Sequence, residues 1–253
     1  LKRYFIKLAY NGRNYHGWQS QQNAHSVQDE LEKCLSLKLR ESIKITGCGR
    51  TDAGVHAREY YAHFDSITNF DEKSKNDFVN RLNIFLPSNI AAHDLYLVNN
   101  EANARFDALS RTYRYYISRK KNPFKNDTSF YVYGNMDLDA MTKAANLLFD
   151  YEDFTSFSKL HSQTNNNLCT IMEARWIDSG SMLVFEITAN RFLRNMVRAI
   201  TGTLIEVGQG KLSLEGFKNV IEARNRERAG FSVPAHALFL EKVIYPDELF
   251  LHW

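Results

Sequence analysis

The run Gly47-Cys48-Gly49-Arg50-Thr51-Asp52-Ala53-Gly54-Val55-His56-Ala57 sets three glycines around one arginine and one carboxylate. A tight loop of this kind can aim a single acid at a substrate, and its glycines let a substrate backbone come close. An ionised carboxylate can act as a nucleophile, a general base or a metal ligand. Arg50 beside Asp52 would favour the charged form and burial would oppose it, so geometry decides between them. Metal ligation is the weakest of the three, because no acid or histidine neighbours Asp52 at ligand spacing. The glycines fit neither the dinucleotide pattern G-x-G-x-x-G nor a phosphate-binding loop, which needs a Lys after a correctly spaced Gly. Taken alone, the run reads best as a turn in which Asp52 bonds local backbone amides.

A second concentration of chemistry lies between Arg105 and Lys121. There Arg105, Arg111, Arg114, Arg119, Lys120 and Lys121 face one acid, Asp107, and Arg191, Arg194 and Arg198 cluster again later. A charge run is by default a solvated face. Tyr113, Tyr115 and Tyr116 interleave with Arg111 and Arg114, however, and guanidinium beside flat aromatic surface is what phosphates and unstacked bases need. RNA or single-stranded nucleic acid is therefore a candidate partner. The histidines, His16, His56, His63, His93, His161 and His236 among them, are scattered and form no triad signature, so each reads as structural or surface. Tyr15, Trp18 and Phe106 read as core or cleft-wall residues.

The 253 residues, 44% hydrophobic and 24% charged, suit a globular chain of one large or two small domains. With only 12 Gly and 4 Pro, collagen-like and low-complexity classes are excluded. A 13% aromatic content argues against disorder. The net charge of +3 says little about partners by itself. No apolar run approaches the roughly 18 to 20 residues that span a bilayer, so a soluble protein with no membrane partner is expected. Leu1 to Leu8 starts basic like a signal peptide, but Lys7 interrupts it and no small-residue cleavage site follows. Cys34, Cys48 and Cys169 are odd in number and far apart, which fits neither a disulfide framework nor a zinc site and points to a reducing cytoplasm.

The elements that would carry these residues follow from periodicity. Residues 3–10 alternate as a strand with Arg3 and Lys7 on a polar side. Ser26 and Asp29 make a capping signature for a helix running to about Leu39, with Val27, Leu31, Cys34 and Leu35 as its stripe. Strands are expected over 43–48 and 57–65 around the glycine-rich turn, and a helix over 78–86 ends before Pro87. Arg111 to Ser118 predicts a strand with Tyr113, Tyr115 and Ile117 on one face. Asp137 caps a helix striped by Leu138, Met141, Ala145 and Leu148. A strand follows over 182–189, then helices from Arg191 to about Glu206, with Phe192, Met196 and Ala199 on one side, and from Leu214 to Arg224. Residues 66–76 and 160–168 are polar, lack periodicity and read as mobile loops. Interleaved strands and helices in both halves suggest two α/β lobes with a boundary near 100–110.

The whole chain also resembles one family, the tRNA pseudouridine synthases of the TruA type. Gly49 to Ala57 is similar to that family's catalytic loop, Gly17-Trp18-Gln19 and Val27-Gln28 to its N-terminal signatures, and Ser110-Arg111-Thr112-Tyr113-Arg114-Tyr115 to its central tyrosine motif. Asp153 to Phe157, Phe192 to Arg198 and Pro234 to Leu240 continue the resemblance in order. Asn11, Asn103 and Ser232 to Ala237 depart from the family pattern, while Arg50, Asp52, Tyr113 and Arg198 do not.

The resemblance implies an enzyme that detaches uracil from its ribose, rotates it and rejoins it through carbon 5 without a cofactor. The uridines would lie at positions 38, 39 and 40 of the tRNA anticodon stem-loop. By the same resemblance Asp52 is the covalent nucleophile, attacking either C1′ or the base. Arg50 holds the loop and helps fill the space left by the flipped nucleotide, Tyr113 stacks on the uracil, and Arg198 pairs with Asp52. Arg105, Arg111, Arg114 and Arg194 are expected to hold RNA. The implied architecture is α/β (α+β): two lobes similar to RNA-recognition folds, residues 1–105 and 106–253, joining in a continuous mixed, mainly antiparallel sheet with helices on one side and a basic cleft between them. The family also implies a cytoplasmic homodimer with one tRNA reaching across both subunits. Two rivals share these residues: a non-catalytic tRNA-binding or folding protein, and an aspartate-dependent nucleoside or glycoside hydrolase, which needs a second carboxylate roughly 5 to 9.5 Å from the first.

Overall fold

The computed structural model describes residues 1–159 and 166–251. The chain divides into two compact units, one formed by residues 1–109 with 240–253 and the other by residues 110–239.

In the first unit β1 (Lys2–Tyr10), β2 (Thr46–Gly47), β3 (His56–Ser66) and β4 (Ile90–Val98) form an antiparallel sheet in the order β4-β1-β3, with β2 added to β3. β1 is central, and Tyr4, Phe5, Ile6 and Leu8 are fully buried. Its polar side is neutralised by β3. Arg3 grips Asp65, its cross-strand partner, through Nε at 2.7 Å and Nη2 at 2.9 Å, and Lys7 meets Glu59 at 2.7 Å. A cation opposite an acid, as Arg3 is to Asp65, or diagonal to one, as Lys7 is to Glu59, stabilises such a pair and lets the strand sit inside the sheet.

Two helices belong to this unit. α1 (Val27–Leu39) starts as its sequence predicts: Ser26 Oγ accepts from Asp29 N at 3.1 Å and donates to the Asp29 carboxylate at 2.5 Å, and Val27, Leu31, Cys34 and Leu35 are buried. α2 (Glu72–Phe85) begins six residues before the expected Phe78. Asp71 and Ser74 close a capping box there, so residues 72–76 are helix rather than loop. The polar first turns of an amphipathic helix carry no apolar stripe, which hid this start from periodicity. The rest of that expected mobile loop is tied down as well. Glu41 accepts from Ser66 Oγ at 2.7 Å, Ile67 N at 3.0 Å and Thr68 Oγ1 at 2.8 Å. The strand expected over 43–48 pairs only at Thr46 and Gly47.

In the second unit β5 (Ser110–Ser118) carries β6 (Phe130–Tyr131) in parallel and pairs antiparallel with a later hairpin. α3 (Leu138–Asn146) follows on its Asp137 cap, then β7 (Ile171–Asp178) and β8 (Met182–Ala189), giving the order β5-β8-β7. α4 (Met196–Gly208) and α5 (Leu214–Glu222) complete the helical layer, with α3 against β7, α4 and α5. Tyr115, Ile117, Leu183, Phe185, Met141, Leu204 and Phe217 are all buried. α4 starts at Met196, not Arg191, because Asn195 takes a left-handed φ of 69° that a helix cannot continue through. Phe192 therefore lies outside the helix, before the turn at Arg194 and Asn195. The last strand, β9 (Leu238–Ile244), returns the chain to the first unit, where Leu109 N donates to Ile244 O at 2.8 Å.

Both sheets are mostly antiparallel and flanked by helices, as the fold-class expectation held. Of the second expected mobile loop, residues 160–165 lie outside the described residues, and His161 with them. The three cysteines are free and buried. No helix among the described residues is long and apolar enough to cross a membrane.

Candidate active site

The loop that carries Asp52 leaves β2 at Gly47 and re-enters the sheet at His56, and both of its sides are clamped. On the inner side Trp18 and Tyr60 stack with ring centroids 4.0 Å apart, and the Tyr60 hydroxyl donates to the Gly49 carbonyl. Gly47 lies against that pair. A Cβ there would come 2.1 Å from the Tyr60 hydroxyl and 2.5 Å from the Trp18 ring, so only glycine fits.

On the other side the segment from Gly12 to Trp18 lies along the loop. Trp18 N donates to Thr51 O at 3.3 Å and Gly54 N to Tyr15 O at 3.3 Å, while the Tyr10 hydroxyl meets Thr51 Oγ1 at 2.9 Å. Gly17, at φ 92°, lets this approach happen, since a Cβ would sit 2.3 Å from Thr51 O. His56 is structural: buried, it accepts the Gly12 amide on Nδ1 at 3.1 Å. Thr51 is thus locked inward, and its neighbours Arg50 and Asp52 are turned out, Arg50 exposed and Asp52 half-buried.

Arg50 shares a cavity of about 70 Å³ with Arg105, Gln19 and Gln28. Gln28 uses both ends of its amide: Oε1 accepts from Gln19 Nε2 at 2.9 Å and Ser20 N at 3.0 Å, and Nε2 donates to Glu32 Oε1 at 3.0 Å and Ile45 O at 3.1 Å. It thereby ties α1 to both chain segments that border the cavity. Arg105 itself lies 5.4 Å from the ring of Phe106, which is 74% exposed, so Phe106 is no core residue here.

The remaining predicted residues belong to the second unit. Arg111, Tyr113, Tyr115 and Ile117 share one face of β5, as the alternation predicts. Tyr113 is half-buried and meets Phe192 edge to face, with centroids 5.2 Å apart at 88°. Tyr115 is fully buried; burial pushes its hydroxyl well above the ordinary tyrosine range, and it donates to Pro234 O at 2.9 Å. Arg111 Nη1 donates to Asn190 O at 2.8 Å.

Arg198 sits in the first turn of α4 and is held against the segment 231–233. Its Nε donates to Val233 O at 2.7 Å, and Val233 N donates back to Arg198 O at 3.2 Å. Asn195 Nδ2 adds a bond to Ser232 Oγ at 2.7 Å. Gly202, one turn on, permits this approach, because a Cβ there would lie 1.8 Å from Phe231 O.

Arg114 is placed differently. It points from the opposite face of β5 to Tyr113, with Nε on Glu186 Oε2 at 2.5 Å, and Arg175 Nη2 meets the other oxygen at 2.5 Å. Burial would raise the Glu186 carboxyl, but bonds from the two guanidinium groups hold it below the ordinary range. Arg119 likewise binds Asp178 at 2.7 Å, so the basic run is not one uniform positive surface. Arg194 is exposed, and its carbonyl accepts Lys159 N at 3.0 Å. The structure therefore brings Arg50 together with Arg105 in one unit, groups Arg111 with Tyr113 on one strand face in the other, and sets Arg114 apart from that face.

The residues that fix the loop, Tyr10, Tyr60 and Gln28, were not singled out as a clamp by sequence. The signal of Tyr10 and Tyr60 was the alternation on β1 and β3, which reads as core, and Gln28 on α1 stood out only within a family signature. Among the described residues no group of three or more His, Cys, Asp or Glu side chains is placed to hold a metal ion.

A family model described as tRNA pseudouridine synthase matches residues 144–246. Relatives named tRNA pseudouridine synthase A include that of Parabacteroides distasonis, 52% identical over 99% of this chain and 98% of its own. Those of Bacteroides thetaiotaomicron and Porphyromonas gingivalis are 51% and 50% identical over 99% of this chain, covering 93% and 100% of theirs. Near full-length identity at this level, on a fold that braces a lone aspartate loop, makes the chain an enzyme of the isomerase class and a member of the tRNA pseudouridine synthase A family.

Proposed function

We propose that this enzyme converts uridine to pseudouridine at positions 38 to 40 of the tRNA anticodon stem-loop, with Asp52 as the covalent nucleophile. The observation that carries the reading is the clamped loop. Thr51 is locked inward by Tyr10 and by Trp18 N, which supports a reading in which the fixed loop presents the neighbouring Asp52 to substrate.

The target base must leave its stack, at a cost of a few kcal/mol that basic and aromatic contacts offset. Arg50 enters the vacated space and Tyr113 stacks on the extruded uracil, its ring braced by Phe192. Asp52 attacks C1′ or the base, the C1′–N1 bond breaks, and the uracil turns while it stays bound. The C1′–C5 bond then forms as the bond to Asp52 breaks and frees the carboxylate, carbon 5 loses its proton and N1 gains one, so the product has the composition of the substrate and no redox partner takes part. Arg198, its guanidinium direction set by Val233, favours the ionised carboxylate. Arg105, Arg111 and Arg194 hold phosphates. Arg114, anchored by Glu186, contributes to RNA binding from the other face of its strand.

The enzyme acts as a cytoplasmic homodimer in this reading, which the three buried free thiols and the modest charge of one chain support. The reading is tested by incubating anticodon-arm tRNA with the protein, digesting the product and locating the modified nucleosides. Pseudouridine at positions 38 to 40 with no free uracil is expected. Free uracil would mark a hydrolase, and unmodified but bound tRNA a binding protein.

A further inference from the structure

The segment between β5 and α3, residues 119–134, carries in Lys120, Lys121, Phe124, Lys125 and Tyr133 charge and aromatic surface that neither the fold nor the proposed site employs. Lys120, Lys121 and Lys125 are exposed on it, and Asp127 is its one acid. Phe124 is 95% exposed and Tyr133 84%. A bare phenylalanine at the tip of a loop adds nothing to a core.

The segment is nevertheless built. Ser118 Oγ donates to Lys120 O at 2.5 Å, Phe124 N to Asn122 Oδ1 at 2.9 Å and Lys125 N to Asn122 O at 3.1 Å. Thr128 N and Ser129 N both donate to Lys125 O, at 3.1 and 2.9 Å, and Ser129 Oγ does so at 2.9 Å. Ser129 is buried, its carbonyl lies 3.2 Å from His236 Nε2, and β6 rejoins β5 immediately afterwards. Consecutive turns therefore hold Phe124 outward between Lys121 and Lys125.

An exposed ring flanked by cations matches one kind of surface, an RNA strand with a phosphate backbone and accessible base or ribose faces. Charge complementarity favours RNA over a second copy of this basic chain. We infer that the segment 119–134 is a second tRNA contact, gripping backbone phosphates through Lys120, Lys121 and Lys125 and stacking a nucleotide on Phe124.

The inference rests on the proposed function for its ligand and adds a location. Five residues of extended strand separate Tyr113 from Ser118, roughly 17 Å at the usual rise. The segment follows the end of β5 while Tyr113 lies within it, and the contact is assigned to binding of the tRNA body rather than to the chemical step.

The test compares the parent with two variants, Lys120→Ala/Lys121→Ala/Lys125→Ala and Phe124→Ala. It measures tRNA dissociation constants across a salt series together with kcat and KM. Each lost phosphate contact lowers the salt slope by about 0.7 to 0.9, so the triple variant is expected to lose about 2 to 3 units of slope. Loss of one stacked base weakens binding by about 5- to 150-fold, seen as a raised KM with kcat retained. A Lys→Arg triple that restores the slope supports the phosphate assignment. Affinities and slopes equal to the parent's in both variants would overturn the inference while leaving the enzyme's function standing. A Phe124→Ala protein that turns monomeric at unchanged tRNA affinity per chain would overturn it too, by assigning the surface to a second copy. A parent that binds no tRNA would instead remove the proposed function itself.

Discussion

At the scale of single residues the loop's geometry depends on hydroxyl groups that carry no chemistry of their own. Tyr60 donates to the Gly49 carbonyl, so Tyr60→Phe removes one bond at the base of the Asp52 loop. The expected cost is about 1 kcal/mol of stability. A displaced carboxylate lowers the single-turnover rate by about 10- to 100-fold with little change in tRNA affinity. A parent-like rate would show that the clamp does not set Asp52. His63 gives a pH dependence instead. Burial, and then the nearby Arg3, lower its pKa to about 4 against the opposing pull of Asp65 and Asp107, and its Nδ1 accepts the Ala104 amide at 3.1 Å. The unfolded chain takes up a proton near pH 6.5 and the folded one does not until about pH 4. The neutral ring's stabilisation is thus present above pH 6.5 and is lost as pH falls through that window. His63→Gln, which keeps an acceptor, is expected to flatten the melting temperature between pH 6.5 and 4; an unchanged slope would assign the loss to another group. Asp52 and Arg50 stood out in a glycine setting that alone reads as a turn, and their proposed roles came from the family resemblance, whereas Tyr60 and His63 carried no signal, because a buried aromatic and a buried histidine look alike in any core.

At the scale of elements, caps and alternation carried most of what could be read. Ser26 and Asp137 sit at the N-termini they predict, and β5 and β8 show their faces in their period of two. Several elements escaped. β4 and β7 each lie at a register shift that blurs alternation, at Lys7 and Leu8 for β4 and between Ile171 and Glu173 for β7; β9 was not read either, and the first turns of α2 are polar throughout. The start of α4 was misread because composition suits a helix from Arg191 while backbone conformation at Asn195 forbids one. That irregular entry leaves Phe192 free to brace Tyr113, the ring proposed to stack on the uracil. The contact of α4 with the segment 231–233 gives a prediction at this scale. Gly202→Ala would place a methyl 1.8 Å from Phe231 O and push Val233 off Arg198. A loss of about 1 to 3 kcal/mol is expected, read as a melting temperature lower by roughly 2 to 12 °C, together with a slower chemical step. Parent-like stability would mean that the segment yields without cost.

At the scale of the whole molecule, the ordered motifs carried family and function, while charge said little: a net +3 hides arginines committed to acids, such as Arg114 on Glu186 and Arg119 on Asp178, beside the open lysines of residues 120–125. Pairing of this kind is a tertiary property, which is why composition could not separate bound from available cations. The central claim remains that one carboxylate, on a loop fixed before substrate arrives, performs the isomerisation. The most direct measurement is release of tritium from carbon 5 of uridine in labelled anticodon-arm tRNA, by the parent and by Asp52→Asn at matched tRNA occupancy. Release by the parent alone, with the variant still binding tRNA, is predicted. Release by both would show that Asp52 is not the nucleophile, and release by neither would contradict the isomerisation itself.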